Sequence, residues 1–127
     1  MDVDESHVRW LGEVPDEELA VLYRGARCVA YPSLYEGFGY PIAEAMACGT
    51  PVVTSAGGAT EEIAGGAAVL VDPLDPASIQ AGIEEATARR EELVPAGLAR
   101  AKVFAPDRFA EATIAVYREA LRDPDVV

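Results

Sequence analysis

Short, mostly apolar runs alternate with amphipathic segments along the first half of the chain. Four runs of strand length are bounded by glycine, proline or polar residues, as buried parallel strands often are: residues 8–11, 28–31, 51–54 and 68–71. Between them lie segments with helical spacing of apolar residues, at 16–23, 42–48 and 60–63. Alternation of strand and helix predicts an α/β fold, a parallel sheet with right-handed crossovers.

The second half of the chain carries only helical patterns. Asp16 and Thr60 are predicted N-caps for helices of the first half, and either Asp75 or Ser78 begins the first helix of the second half. Three helices are predicted there: one that continues to about residue 90, one at 91–104 with Pro95 near its start, and one at 106–121. The fold class expected is a Rossmann-like sheet of about four strands with flanking helices and a C-terminal helical tail.

Composition and charge narrow the functional classes. The chain has 127 residues and is 50% hydrophobic, enough for one domain with a core. Its formal net charge of -12 repels phosphate backbones and anionic lipid, so no nucleic-acid partner is expected. No apolar run reaches the length of a transmembrane segment. With one histidine and no Cys-x-x-Cys, the sequence offers no zinc site, and no metal is expected.

The remaining composition bears on location and core. Cys28 and Cys48 are predicted to be buried free thiols, which suits a reducing compartment. Residues 1–5 are acidic where a secretory signal would be basic, so we expect a cytoplasmic protein. Trp10 and Tyr23 are expected in or near the core. A single lysine among ten basic residues, together with many alanines, suggests a bacterial source.

The residues with candidate binding or catalytic roles lie mainly in the segment 36–44. Glu36 and Glu44 bracket a turn that contains Gly37 and Gly39, and Pro41 is suited to the start of a helix. Glu36 is predicted in a loop at the carboxyl end of a strand, with Glu44 on the helix that follows. Ligands of open α/β sheets bind in the crevice at that end. Glycine backbone and a helix N-terminus suit an anionic ligand that also carries hydroxyls, such as a sugar nucleotide.

Six motifs in order resemble the C-terminal domain of family 4 glycosyltransferases, from about Val8 to about Leu121. They are Pro32-Ser33, Glu36-Gly-Phe-Gly, Pro41, Glu44-Ala-Met, Gly49-Thr-Pro-Val-Val and Glu62. The family has the GT-B architecture of two Rossmann domains and transfers sugar with retention of configuration. The resemblance implies that residues 1–127 are the latter part of the donor-binding domain, without the N-terminal acceptor domain.

The resemblance assigns roles residue by residue. Glu44 corresponds to the glutamate that binds the ribose hydroxyls, and Glu36 to the catalytic-site glutamate beside the donor sugar, where a negative group favours positive charge at the anomeric carbon. Further donor contacts are expected from the backbone, at Gly37, Phe38, Gly39 and Tyr40, and at Glu13 and Val14 of a base-contact loop. Glu62 matches a recurrent family glutamate. The alternatives are a solvated Glu44, a turn-capping Glu36, and a Glu62 that only complements a helix dipole.

The implied reaction needs no metal and no cofactor. The acceptor hydroxyl attacks the face from which the nucleoside diphosphate leaves, and the leaving phosphate oxygen takes the proton. An Arg and a Lys that meet the diphosphate lie upstream in the family, so the isolated chain is expected to be inactive. Two alternatives stay open: a non-catalytic module that self-associates through its last helix, and a GT-B phosphorylase or epimerase.

Overall fold

A three-stranded parallel sheet with helices on both faces forms the centre of the protein. The computed structural model describes residues 5–122, so the acidic residues 1–4 and residues 123–127 lie outside the description. The strands are β1 (Val29–Tyr31), β2 (Val52–Ser55) and β3 (Val69–Val71). The helices are α1 (Asp16–Gly25), α2 (Tyr40–Ala47), α3 (Gly58–Ala64), α4 (Pro76–Ala88), α5 (Arg90–Ala101) and α6 (Pro106–Ala120). The predicted α/β class and its parallel sheet are confirmed.

The sheet order is β1-β2-β3, and β2 is buried along its whole length. Because successive strand residues point to opposite faces, Val52 and Val53 belong to two different apolar clusters. One cluster contains Ile42 and Met46 of α2. The other contains Val53, Val69, Val71, Ala86 and Leu93, from the sheet, α4 and α5. The two-sided burial explains why β2 has a continuous apolar sequence.

The face covered by α4 depends on a glycine. A Cβ at Gly82 would lie 2.4 Å from Cγ1 of Val71 and 3.1 Å from Cγ1 of Val53. Real Cβ atoms do not approach other atoms that closely, so only glycine lets the helix lie this near the sheet. Gly82 itself is buried within α4.

The predicted strand at residues 8–11 is wrong, as is the core position predicted for Trp10. The structure has no regular element there, and Trp10 is 91% exposed. Among the described residues, β1 pairs only with β2, and its other edge has no partner. An isolated apolar run cannot satisfy its backbone groups without a neighbouring strand, so residues 8–11 do not form one. Tyr23, in contrast, packs against the core cluster of α2 as expected.

The structure also corrects several details predicted for the helices. The N-cap of α1 is Pro15, with Asp16 as the first helical residue. Thr60 lies inside α3, where its hydroxyl donates to the carbonyls of Ser55 and Gly57. Pro95 lies in the interior of α5 rather than near its start. Of the two alternatives for α4, Asp75 is the N-cap, since its carboxylate accepts from the Ala77 amide at 2.9 Å.

Two further features concern the surface. Cys28 and Cys48 are free thiols, as predicted, but each is half-buried rather than fully buried. The last helix, α6, buries no residue and exposes Phe109, Ile114, Val116 and Tyr117. Within residues 5–122, no helix combines the length and apolarity needed to cross a bilayer.

Candidate functional site

The loop between β1 and α2 carries the two glutamates singled out from the sequence. Gly39 is the N-cap of α2 and has φ 97°, a left-handed conformation that favours glycine. A Cβ there would lie 3.2 Å from Cδ1 of Ile42, so the turn is also tightly packed. Pro41 follows within the first turn of the helix. The sequence therefore predicted correctly how this turn enters the helix.

Glu36 is half-buried at the carboxyl end of β1. Its Oε1 accepts hydrogen bonds from the Tyr31 hydroxyl and from the Ser33 hydroxyl, the latter at 2.8 Å. These two bonds, the tyrosine's first, hold the pKa of Glu36 below its ordinary value. The side chain is therefore an anion at neutral pH, with Oε1 fixed by two donors.

Glu44 lies on α2 and is exposed. Its Oε2 accepts a hydrogen bond of 3.3 Å from the hydroxyl of Tyr23, on α1. Burial raises the pKa of Tyr23 to about 12, and the negative charge of Glu44 adds to the effect. Tyr23 therefore keeps its proton and remains a donor to Glu44 at neutral pH.

The backbone donors expected for a diphosphate lie where α2 begins. The first amides of a helix have no carbonyl of the preceding turn to bond, so they are free for an anion. Pro41 has no N–H and the Ile42 amide donates to the Gly39 carbonyl at 3.1 Å, so Phe38, Gly39 and Tyr40 stay the predicted backbone donors of this turn. The rings of Phe38 and Tyr40 have centroids 4.8 Å apart, and Phe38 also meets Phe104 edge-on at 5.6 Å. Their side chains are thus packing elements, as predicted, although Tyr40 stays largely exposed.

The remaining predicted site residues lie elsewhere. Glu13 is exposed and Val14 half-buried, just before α1. Tyr23, which reaches Glu44, lies seven residues after the start of α1, about 10 Å along the helix axis. Residues 13 and 14 therefore lie at the N-terminal end of α1, whereas Tyr23 contacts Glu44 near its C-terminal end. The base-contact role of residues 13 and 14 stays a prediction.

Glu62 is exposed on α3, and its carbonyl accepts from Nη2 of Arg100 at 2.6 Å. The neighbouring Glu61, rather than Glu62, complements the start of α3, because its carboxylate accepts from the Gly57 amide at 2.6 Å. The alternative role predicted for Glu62, complementing the helix dipole, therefore belongs to Glu61. The donor-site role of Glu62 stays a prediction.

A cleft that the sequence analysis did not identify lies beside Glu36. It has a volume of about 160 Å³, and its walls are the loops that follow β1 and β2. Its lining includes Ser33, Tyr35, Glu36, Ser55, Gly57, Gly58, Thr60 and Pro73. The signal for the cleft in the sequence was the Gly57-Gly58 pair, which follows the buried strand after one alanine. In the structure both glycines have positive φ. Glu44 lies outside this cleft.

Arg100, which contacts the Phe104 ring against which Phe38 packs, is already engaged by other groups. Arg100 donates to the carbonyls of Ile63 and Glu62, and its guanidinium lies 4.8 Å from the centroid of the Phe104 ring. Among residues 5–122, no three His, Cys, Asp or Glu side chains are grouped so as to hold a metal ion.

The chain is similar in sequence to known glycosyl transferases. The family model "Glycosyl transferases group 1" matches residues 5–97. The chain is 44% identical to O-antigen chain mannosyltransferase B of Escherichia coli, over 90% of this chain and 31% of that protein. It is 41% identical to the MMP alpha-(1->4)-mannosyltransferase of Mycolicibacterium hassiacum, over 84% of this chain and 28% of that protein.

A third relative is the D-inositol 3-phosphate glycosyltransferase of Geodermatophilus obscurus, 39% identical over 91% of this chain and 26% of that protein. The chain thus spans about a quarter to a third of the length of these curated relatives. The matched region contains β1, α2 and both glutamates of the segment 36–44. On the family model and the identities together, the chain belongs to the group 1 glycosyl transferases.

Proposed function

We propose that this chain is the donor-binding part of a retaining, metal-independent GT-B enzyme of glycosyltransferase family 4. It binds a nucleoside-diphosphate sugar, and the longer protein transfers the sugar to an acceptor hydroxyl. The observation that carries the proposal is the placement of Glu36 and Glu44 on either side of the N-terminus of α2, each meeting a tyrosine hydroxyl. The family membership and the transferase names of the relatives favour transfer over a phosphorylase or an epimerase.

In this proposal each of the two carboxylates binds a different part of the sugar nucleotide. Glu44 is exposed, and a carboxylate accepts two hydrogen bonds from a vicinal diol such as that of ribose. Glu36 is held ionised beside the cleft, where it accepts from a sugar hydroxyl and stabilises positive charge that develops at the anomeric carbon. Backbone amides of Phe38, Gly39 and Tyr40 meet the diphosphate.

The acceptor and part of the diphosphate site belong to the longer protein. The family resemblance implies that the Arg and Lys that neutralise the diphosphate come from the longer protein, and Arg100 of this chain is already bound to two carbonyls. We therefore expect the isolated chain to bind donor weakly and to show no turnover. No cofactor takes part, and the leaving phosphate oxygen accepts the proton of the acceptor. The free thiols and the use of a sugar nucleotide support a cytoplasmic setting.

A thermal-shift titration of the chain with GDP-mannose, UDP-glucose and ADP-glucose tests donor binding. A ligand at 100 times its dissociation constant stabilises a protein by about 2.7 kcal/mol, which raises the melting temperature by several degrees. We expect one nucleotide to give such a shift, and Glu44→Ala to abolish it. Glu91→Ala, which removes an exposed carboxylate from α5, is the matched control and should keep the shift. A chain that melts cooperatively but shifts with none of the three contradicts donor binding by this part of the protein.

A second candidate function rests on α6. Its exposed Phe109, Val116 and Tyr117 favour an interaction module that self-associates through this helix. Sedimentation of the wild type against a Phe109→Ser, Val116→Ser double variant decides it. A concentration-dependent dimer that the double variant lacks supports this function, and a monomer at all concentrations rejects it.

A further inference from the structure

The end of β1 presents two hydroxyl donors to a single oxygen atom. Tyr31 is the last residue of β1, and the chain turns directly after it, where the Ser33 amide donates to the Tyr31 carbonyl at 3.0 Å. Both hydroxyls donate to Oε1 of Glu36, and the Ser33 hydroxyl also reaches the carbonyl of Tyr35 at 3.2 Å. No donor within residues 5–122 contacts Oε2 of Glu36. The carboxylate therefore has one oxygen held and one oxygen available.

The backbone that carries these donors is itself fixed by the neighbouring strand. The Thr54 hydroxyl donates to the carbonyl of Tyr31 at 2.9 Å, and the Ser55 hydroxyl donates to the carbonyl of Ser33 at 2.5 Å. Thr54 and Ser55 are buried at the end of β2, in the middle of the sheet. The backbone that carries the Tyr31 and Ser33 hydroxyls is thus held in place by β2. A fixed backbone allows these hydroxyls to hold a carboxylate in one orientation.

We propose that Tyr31 and Ser33 are positioning residues that hold Oε1 of Glu36, so that Oε2 accepts a hydroxyl of a sugar bound in the adjacent cleft. The inference rests on the proposed function for the identity of the ligand, and on the hydrogen bonds alone for the positioning. An ionised carboxylate is an acceptor only, and a sugar hydroxyl supplies the complementary donor. Glu36 lines the cleft together with Ser33, so the carboxylate lies beside a space that a ligand can enter.

The two glutamates differ in how firmly they are held. Glu44 receives one hydroxyl, at 3.3 Å and at an exposed position, whereas Glu36 receives two at a half-buried one. We therefore expect Glu44 to adjust when a ligand binds and Glu36 to keep its orientation. The pKa of Glu36, lowered mainly by Tyr31 and next by Ser33, reports directly on the two bonds.

A carboxyl titration tests the positioning without any ligand. The chain is labelled with ¹³C at glutamate side-chain carboxyls, the Glu36 signal is assigned with Glu36→Gln, and its pKa is measured by NMR. We expect Tyr31→Phe and Ser33→Ala each to raise the pKa of Glu36. Tyr35→Phe removes the same hydroxyl from an exposed neighbouring tyrosine and should leave the pKa unchanged. If neither Tyr31→Phe nor Ser33→Ala raises the pKa of Glu36, the positioning role is overturned. If Tyr31→Phe does not fold, the result for Ser33→Ala decides whether the positioning role holds.

Donor binding is measured on the same variants with GDP-mannose, UDP-glucose and ADP-glucose. Loss of one positioning hydrogen bond predicts roughly threefold to tenfold weaker binding for Tyr31→Phe. The matched control for binding is Tyr117→Phe, which removes a hydroxyl from an exposed tyrosine of α6 outside the cleft lining and should leave the affinity unchanged. If no sugar nucleotide binds the wild type, the proposed function fails, and the carboxyl titration still decides the positioning. If a sugar nucleotide binds and Tyr31→Phe retains full affinity, the sugar-facing role of Glu36 is overturned.

Discussion

The hydroxyl of Tyr23 donates to Oε2 of Glu44 across 3.3 Å and thereby links α1 to α2. The two residues are 21 positions apart and belong to different helices that pack on each other. The contact ties the helix that follows the predicted base-contact residues to the glutamate proposed to bind ribose. It also keeps the phenol protonated well above neutral pH, because burial and the carboxylate both disfavour the phenolate.

The shifted tyrosine predicts a loss of stability at high pH. The pKa of Tyr23 is about 12 in the folded protein against 10.0 for an ordinary tyrosine, so the folded state retains a proton that the unfolded state releases. The contribution is complete below pH 10 and is lost as the pH rises from 10 to 12. Tyr31 is shifted in the same direction by its bond to Glu36. Urea unfolding between pH 9 and 11.5 should show a falling free energy of unfolding, with a smaller slope in Tyr23→Phe. Equal slopes in the two proteins contradict the contact.

Gly82→Ala should strongly destabilise the protein. The added Cβ would meet Val71 at 2.4 Å, and forcing a methyl group into a packed interface costs about 1–3 kcal/mol. Gly25→Ala is the matched control at the end of α1, where a Cβ meets nothing within 4 Å. It should change stability by at most about 0.5 kcal/mol. Urea denaturation of the three proteins measures both effects, and similar stabilities for the two variants reject the close packing of α4 on the sheet.

Alanine substitution should destabilise the protein more at Asp75 than at Asp16, although the sequence pattern predicts each of them at the start of a helix. Asp75→Ala removes the side-chain bond to the Ala77 amide and should cost about 1 kcal/mol. Asp16→Ala removes only a first-turn charge, since α1 has no side-chain cap bond, and should cost a few tenths of a kcal/mol. Thermal or urea unfolding compares them. Equal losses would return Asp16 to the N-cap role predicted from the sequence.

The single tryptophan reports on the predicted strand that does not form. Trp10 is 91% exposed, so its fluorescence should resemble that of tryptophan in water and be quenched readily by iodide. Unfolding in urea should hardly change the emission maximum. A blue-shifted, protected emission in the folded chain would instead show that residues 8–11 are packed, as the apolar pattern predicted.

The elements that the sequence predicted well are those whose signals are local. The turn into α2 depends on Gly39 and Pro41, whose backbone preferences act within a few residues, and the buried strand β2 follows from its continuous apolar run. Asp75 caps α4 because its side chain reaches an amide two residues ahead. Glu36 and Glu44 were identified from their spacing and from the strand and helix that carry them.

Tertiary structure decided what depends on distant partners. The apolar run at residues 8–11 pairs with no strand among residues 5–122, although one edge of β1 is unpaired there, and pairing of that kind is decided by tertiary structure. Glu44 meets Tyr23, and the carbonyls behind Glu36 are held by Thr54 and Ser55, because packing of helices and strands brings these residues together. The sequence alone determined which carboxylates stand at the start of α2. Only the packed sheet determined how the backbone that carries the two donors to Glu36 is held, since Thr54 and Ser55 bond to the carbonyls of Tyr31 and Ser33 from the neighbouring strand. Such bonds depend on the register of the sheet, which local propensity does not determine.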